Sequence, residues 1–102
     1  MLSNANQVIK VGIAQMDVVK APNTIRTSGL GSCVGVILYD ESKQIAGLIH
    51  VMLPDSSLGR SDAVNVAKFA DTGIKALIEL LKLEGVHAFK LKAKIAGGAQ
   101  MF

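Results

Sequence analysis

Tryptophan is absent from this chain, and only three Phe and one Tyr stand among its 102 residues. A core here must be assembled from Val, Ile, Leu and Ala. Bases have few rings to stack on, and the four aromatics are not interleaved with the basic residues, so a nucleic-acid partner is not expected. Cysteine occurs once, at Cys33. An intramolecular disulfide is therefore excluded, which fits a reducing cytoplasm better than an oxidising exterior. One Cys and two His at these spacings do not compose a zinc site. No basic stretch followed by an apolar run opens the chain, so a signal peptide is not expected. The longest apolar stretch, residues 45–53, is interrupted by His50 and is far too short to span a bilayer. Charge of one sign is also scarce: the net charge is +3, which does not by itself select a partner.

What is present is apolar matter at 50% of the residues, too much for a disordered chain and enough for one small domain spanning 1–102. Val8 to Ala14 alternates, with Ile9, Val11 and Ile13 on one face, and predicts a strand. Residues 17–24 contain Pro22 and Asn23 and predict a connection. Residues 24–28 predict a short strand that runs into Gly29-Leu30-Gly31-Ser32, a flexible loop. Residues 34–39 and 45–52 predict two strands joined by the polar turn 40–44, which makes a hairpin. Pro54-Asp55-Ser56-Ser57 opens a loop. Val66, Phe69, Ala70, Gly73, Ile74, Leu77, Leu80 and Leu81 then recur at helical spacing, and Gly85 is the natural stop. Phe89, Leu91, Ala93 and Ile95 alternate with Lys90, Lys92 and Lys94, predicting a strand with one buried and one solvated face. Gly97-Gly98 ends it. The expected fold is α+β: a partly antiparallel sheet with one long helix packed on it.

The hairpin brings the two most reactive side chains together. With a turn centred near Ser42, residues whose numbers sum to 83–84 face each other, and Cys33 and His50 sum to 83. Directly opposed Cβ atoms lie roughly 5 Å apart. An imidazole at that distance can take the thiol proton and leave the nucleophilic thiolate. The preceding glycine loop offers backbone N–H groups, from Gly31 and Ser32, to a developing oxyanion. Thr27, ahead of that loop, can fix the imidazole tautomer. Spacing alone leaves a plainer reading open: Cys33 as a small buried hydrophobe, His50 as its satisfied neighbour and Thr27 as an ordinary β-branched strand residue. The glycine loop lacks the following Lys and helix of a phosphate loop. His87 is expected to be solvated, Asp55 to form a turn, and Lys90, Lys92 and Lys94 to face solvent.

Four blocks in register carry a resemblance. Residues 27–33 (Thr-Ser-Gly-Leu-Gly-Ser-Cys), 50–56 (His-Val-Met-Leu-Pro-Asp-Ser), 67–72 (Ala-Lys-Phe-Ala-Asp-Thr) and 93–102 (Ala-Lys-Ile-Ala-Gly-Gly-Ala-Gln-Met-Phe) resemble the CheD family of chemoreceptor glutamine deamidases. Phe69 stands where many relatives have Tyr. The resemblance implies a Cys–His–Thr triad of Cys33, His50 and Thr27. It implies hydrolysis of receptor glutamine side chains to glutamate, as part of chemotaxis adaptation, without metal or organic cofactor. It implies an α/β sandwich related to bacterial toxin deamidases, of which this chain is the front portion, since the family's chain continues with further strands. Implied partners are the cytoplasmic region of methyl-accepting chemotaxis receptors and, in some bacteria, a CheC-type phosphatase. A non-catalytic adaptor, or a thiol transamidase with the same site, is the alternative. Self-association is a further expectation, because an unfinished sheet edge recruits partners.

Overall fold

The structure is a computed structural model that describes residues 7–52 and 70–98. Strands β1 (Val8–Lys10), β2 (Met16–Lys20), β3 (Thr24–Arg26), β4 (Val34–Asp40) and β5 (Ile45–Val51) precede helix α1 (Ala70–Leu83). A 3-10 turn (Ala88–Lys90) and strand β6 (Lys92–Gly97) follow. Four strands form an antiparallel sheet in the order β2-β5-β4-β6, and β1 and β3 form a separate parallel pair. This is the expected α+β arrangement, a partly antiparallel sheet with a helix on it.

The hairpin β4–β5 is the frame. Its turn is held by Asp40, whose Oδ1 accepts from the Ser42 hydroxyl at 2.6 Å, the Ser42 N–H at 2.9 Å and the Lys43 N–H at 3.3 Å. A carboxylate that accepts several local N–H and O–H groups substitutes for the backbone turn bonds. Those bonds, the Ser42 hydroxyl first, also hold the Asp40 carboxyl below its usual pKa.

Alternation along β4 and β5 sends Val36, Leu38, Ile45, Ile49 and Val51 to one face, where they join Leu77, Leu81 and Val86 in the buried core. Helix α1 lies over β5 and β2. Close approach requires Gly47: a Cβ there would stand 2.7 Å from Leu77 Cδ1. Leu77 is fully buried and has no room to yield. The helix ends as expected at Gly85, with φ +90°. Val86 N–H donates to Leu81 O at 3.1 Å and Gly85 N–H to Lys82 O at 3.0 Å, the paired bonds of a Schellman cap, with Val86 and Leu81 as its buried apolar contact.

Four expectations change. The connection expected over 17–24 contains strand β2, which adds to the β5 edge. Its short Val18-Val19 apolar pair among polar neighbours carries no period of its own. The strand expected over 8–14 stops at Lys10, because the chain turns at Ala14, whose φ is +57°. Val11 is buried while Ile13 is 59% exposed, so the two do not share a face. Leu80, expected on the buried side of the helix, is exposed. Phe89 belongs to the 3-10 turn and stacks on His87, with ring centroids 5.5 Å apart, and β6 is exposed along its whole length, Ile95 at 71%. The described helix lies over the β2–β5 side of the sheet. Lys92 and Lys94 do face outward: Lys92 pairs with Glu41, and Lys94 lies 5.7 Å over the Tyr39 ring. The expectations for residues 53–69, including Pro54, Asp55, Val66 and Phe69, and for residues 99–102 lie outside the described residues.

Candidate functional site

Opposite α1, the second face of the sheet carries Gly35, Ile37, Leu48 and His50. The β1–β3 pair and the glycine loop lie on this side, bringing Thr27 and Leu30 over Gly35. A Cβ at Gly35 would meet Leu30 Cδ2 at 3.4 Å and Thr27 Cγ2 at 3.5 Å. His50 is entirely buried here. Its backbone is pinned on the β2 side, the N–H donating to Gln15 O at 3.0 Å and the carbonyl accepting from Ala14 N–H at 2.9 Å.

The imidazole is oriented by Thr27. Thr27 Oγ1 lies 2.9 Å from His50 Nδ1 and 2.6 Å from Val11 O. A hydroxyl has one hydrogen, and a carbonyl oxygen can only accept. The Thr27 hydrogen therefore goes to Val11 O, and Oγ1 accepts from Nδ1–H. In a neutral ring this leaves Nε2 without a hydrogen and with its lone pair outward. Nε2 is buried and has no hydrogen-bond partner among the described residues. Buried polar atoms are nearly always satisfied, so an unpaired basic nitrogen is a feature to be accounted for.

Cys33 lies one residue ahead of β4 and is half-buried. The expected register needs correction. Val34 pairs with Val51 and Gly35 with His50, so facing residues sum to 85 and Cys33 is not directly opposite His50. The turn is centred between Ser42 and Lys43, because Asp40 still pairs with Ile45 and the loop holds four residues. Cys33 instead precedes Gly35 by two residues, which places it on the His50 face as a diagonal neighbour, within roughly 7–8 Å by sheet geometry. Its carbonyl continues the β4–β6 ladder, accepting from Gly98 N–H at 2.8 Å. Its N–H turns back to Leu30 O at 2.6 Å, closing a tight turn over Gly31 and Ser32, both exposed. Gly29 and Gly31 take φ of +67° and +49° in this loop, conformations that side chains disfavour.

Thr27, His50 and the Cys33 loop are thus gathered on one face. Two contributors were not legible in the sequence. The Val11 carbonyl is a backbone group with no side-chain signature, and Gly35 shows its place only once the register is known. Among the described residues no group of three or more His, Cys, Asp and Glu could hold a metal ion. A cleft of about 420 Å³ adjoins the cluster, bordered by Arg26, Thr27, Leu30, Ile37, Leu48 and Lys94.

A family model described as CheD chemotactic sensory transduction matches residues 52–102. The chemoreceptor glutamine deamidase CheD of Bacillus subtilis is 58% identical over 95 residues, covering 93% of this chain and 57% of the relative. That of Halalkalibacterium halodurans is 57% identical over 97 residues, covering 95% and 60%. That of Bacillus licheniformis is 53% identical over 102 residues, covering 100% and 61%. The chain spans about 60% of the length of these curated relatives. With half of its residues matched by the family model and nearly all of them aligned to such relatives, the chain belongs to the CheD family.

Proposed function

We propose that this chain carries the catalytic centre of a chemoreceptor glutamine deamidase, with Cys33 as nucleophile, His50 as base and acid, and Thr27 as the group that orients the imidazole. The observation that carries this reading is the double contact of Thr27, which leaves a buried, unpaired Nε2 on the face where Cys33 sits. The relatives' names supply the substrate class.

Nε2 takes the Cys33 thiol proton, and the thiolate attacks the carboxamide carbon of a glutamine side chain. A C–S bond forms, and the C=O electron pair moves onto oxygen. The N–H groups of Gly31 and Ser32 are the assigned donors to that oxyanion, since the Cys33 N–H is bonded to Leu30 O. The tetrahedral adduct collapses, the C–N bond breaks, and the leaving nitrogen takes the proton from Nε2 and departs as ammonia. Water then gives a proton to Nε2 as its oxygen attacks the thioester carbon. The C–S bond breaks, glutamate leaves, and the thiol is restored. No step requires a cofactor.

The partner in this reading is the cytoplasmic region of a methyl-accepting receptor, which places the protein in the cytoplasm and its activity in chemotaxis adaptation. The family resemblance adds a CheC-type phosphatase as second partner. Residues 1–102 are assigned to one domain, supported by the core that β2, β4, β5 and α1 share. Mass spectrometry of a glutamine-bearing receptor fragment tests the proposal. A gain of about 1 Da per modified glutamine with the wild type and none with Cys33→Ala is expected. Receptor binding by both proteins with no mass change would replace it with the adaptor reading, and transfer to an added amine would replace hydrolysis with transamidation.

A further inference from the structure

We propose that Gly97 and Gly98, at the end of β6, are positioning residues that hold the Cys33 backbone in place for reaction with His50. This rests on the reading of Cys33 and His50 as a thiol–imidazole pair.

Both peptide groups of Cys33 are held. On its N-terminal side the N–H is bonded to Leu30 O at 2.6 Å, and on its C-terminal side the carbonyl accepts from Gly98 N–H at 2.8 Å. The Cys33 backbone, and with it the Cα from which the thiol projects, can be displaced only by straining or breaking one of these. Gly97 is pressed against the same carbonyl. A Cβ at Gly97 would lie 2.3 Å from Cys33 O, 3.2 Å from Leu30 Cβ and 3.3 Å from Leu30 Cδ1. The first atom belongs to backbone and cannot rotate away without losing the Gly98 bond. Gly97 also has φ +96°, a conformation closed to most side chains. The end of β6, the glycine loop and the start of β4 therefore interlock at Cys33, with no side chain between Gly97 and the carbonyl.

Gly85 provides a matched contrast. Its φ is +90°, nearly that of Gly97, yet a Cβ there meets nothing within 4 Å. An Ala at either position carries comparable backbone strain. Only the one at 97 displaces Cys33. Displacements near 1 Å in a positioned site can cost about 100-fold in rate.

Cys33 is the sole thiol, so its alkylation by iodoacetamide at neutral pH reports on it alone. The experiment is a double-mutant cycle of wild type, His50→Gln, Gly97→Ala and the double variant, with Gly85→Ala as control. The wild type is expected to react at least about tenfold faster than His50→Gln, because the imidazole supplies thiolate. Gly97→Ala should fall to about the His50→Gln rate, with no further loss in the double variant, while Gly85→Ala reacts at about the wild-type rate. A Gly97→Ala protein that keeps the whole His50 dependence overturns the proposal. Equal rates for wild type and His50→Gln overturn the thiol–imidazole pair itself, and the positioning role with it. Should Gly97→Ala lose its far-UV circular dichroism spectrum, hydrogen exchange of the Gly98 amide in the wild type decides. Protection of at least about tenfold over a free peptide is expected for the bonded amide, and exchange at the free-peptide rate overturns the clamp.

Discussion

Thr27 has one hydrogen to give, and the structure directs it to Val11 O. The consequence reaches across the imidazole to Nε2, which is the atom the proposed chemistry uses. Thr27→Val keeps the shape and removes both bonds. It leaves the buried Nδ1–H without an acceptor, a cost of about 1–3 kcal/mol expected in urea unfolding. Alkylation of Cys33 should slow as well, because the ring is then free to adopt the other tautomer. Thr27→Ser retains the hydroxyl and should recover most of the rate. Stability lost with the alkylation rate unchanged would make Thr27 structural only. At this scale the sequence was informative: Cys33, His50 and Thr27 are distinctive residue types, and the topology gathers them on one face. The expected pairing of Cys33 directly opposite His50 was overturned, because one residue in the turn decides the register. Asp40 extends the ladder by a pair, and a turn-forming Asp does not advertise that its backbone is still in the strand.

The hairpin and the helix each depend on one local device. In the hairpin it is the Asp40 carboxylate. Its pKa lies below the usual 3.8, chiefly through the Ser42 hydroxyl. A depressed carboxyl stabilises the fold fully above the unfolded value and ceases to do so as pH falls through the folded one. Wild-type stability in urea should therefore decline as pH drops below about 4, and Asp40→Asn should flatten that decline while lowering stability at neutral pH. An identical pH dependence in the two proteins would remove Asp40 from the account. For the helix the device is Gly47. Gly47→Ala puts a methyl group into the fully buried Leu77 side chain, and overpacking of this kind costs about 1–3 kcal/mol. A thermal unfolding midpoint at or above that of the wild type would contradict the packing described. The helix itself was readable from its apolar spacing and from Gly85. Strand β2 was not, since an edge strand with two valines and flanking charges looks like a connection until β5 is there to receive it.

The molecule as a whole is a sheet with two differently used faces. One is packed by α1 over β5 and β2. The other carries the His50 cluster beneath the glycine loop. Strand β6 alternates as an amphipathic strand should, which is why the sequence predicted a buried face for it, but burial needs a second layer and none of the described elements covers Ile95. Exposed edge strands recruit other strands, and self-association of this chain is proposed on that ground. Sedimentation of this chain should show a mass that grows with concentration, and Ile95→Lys should suppress the growth. A monomeric mass at high concentration would contradict it. The Lys92–Glu41 pair on the same edge is exposed, and its removal should leave stability nearly unchanged.

The central claim is that Thr27 keeps the hydrogen of the His50 ring on Nδ1 and leaves Nε2 bare on the face that carries Cys33, the proposed nucleophile. Long-range proton–nitrogen correlation spectra of the His50 ring, recorded with 15N labelling, test it most directly. The account requires the Nδ1–H tautomer in the wild type, lost in Thr27→Val and kept in Cys33→Ala. An Nε2–H tautomer in the wild type would contradict it, since the atom assigned to take the thiol proton would already carry one.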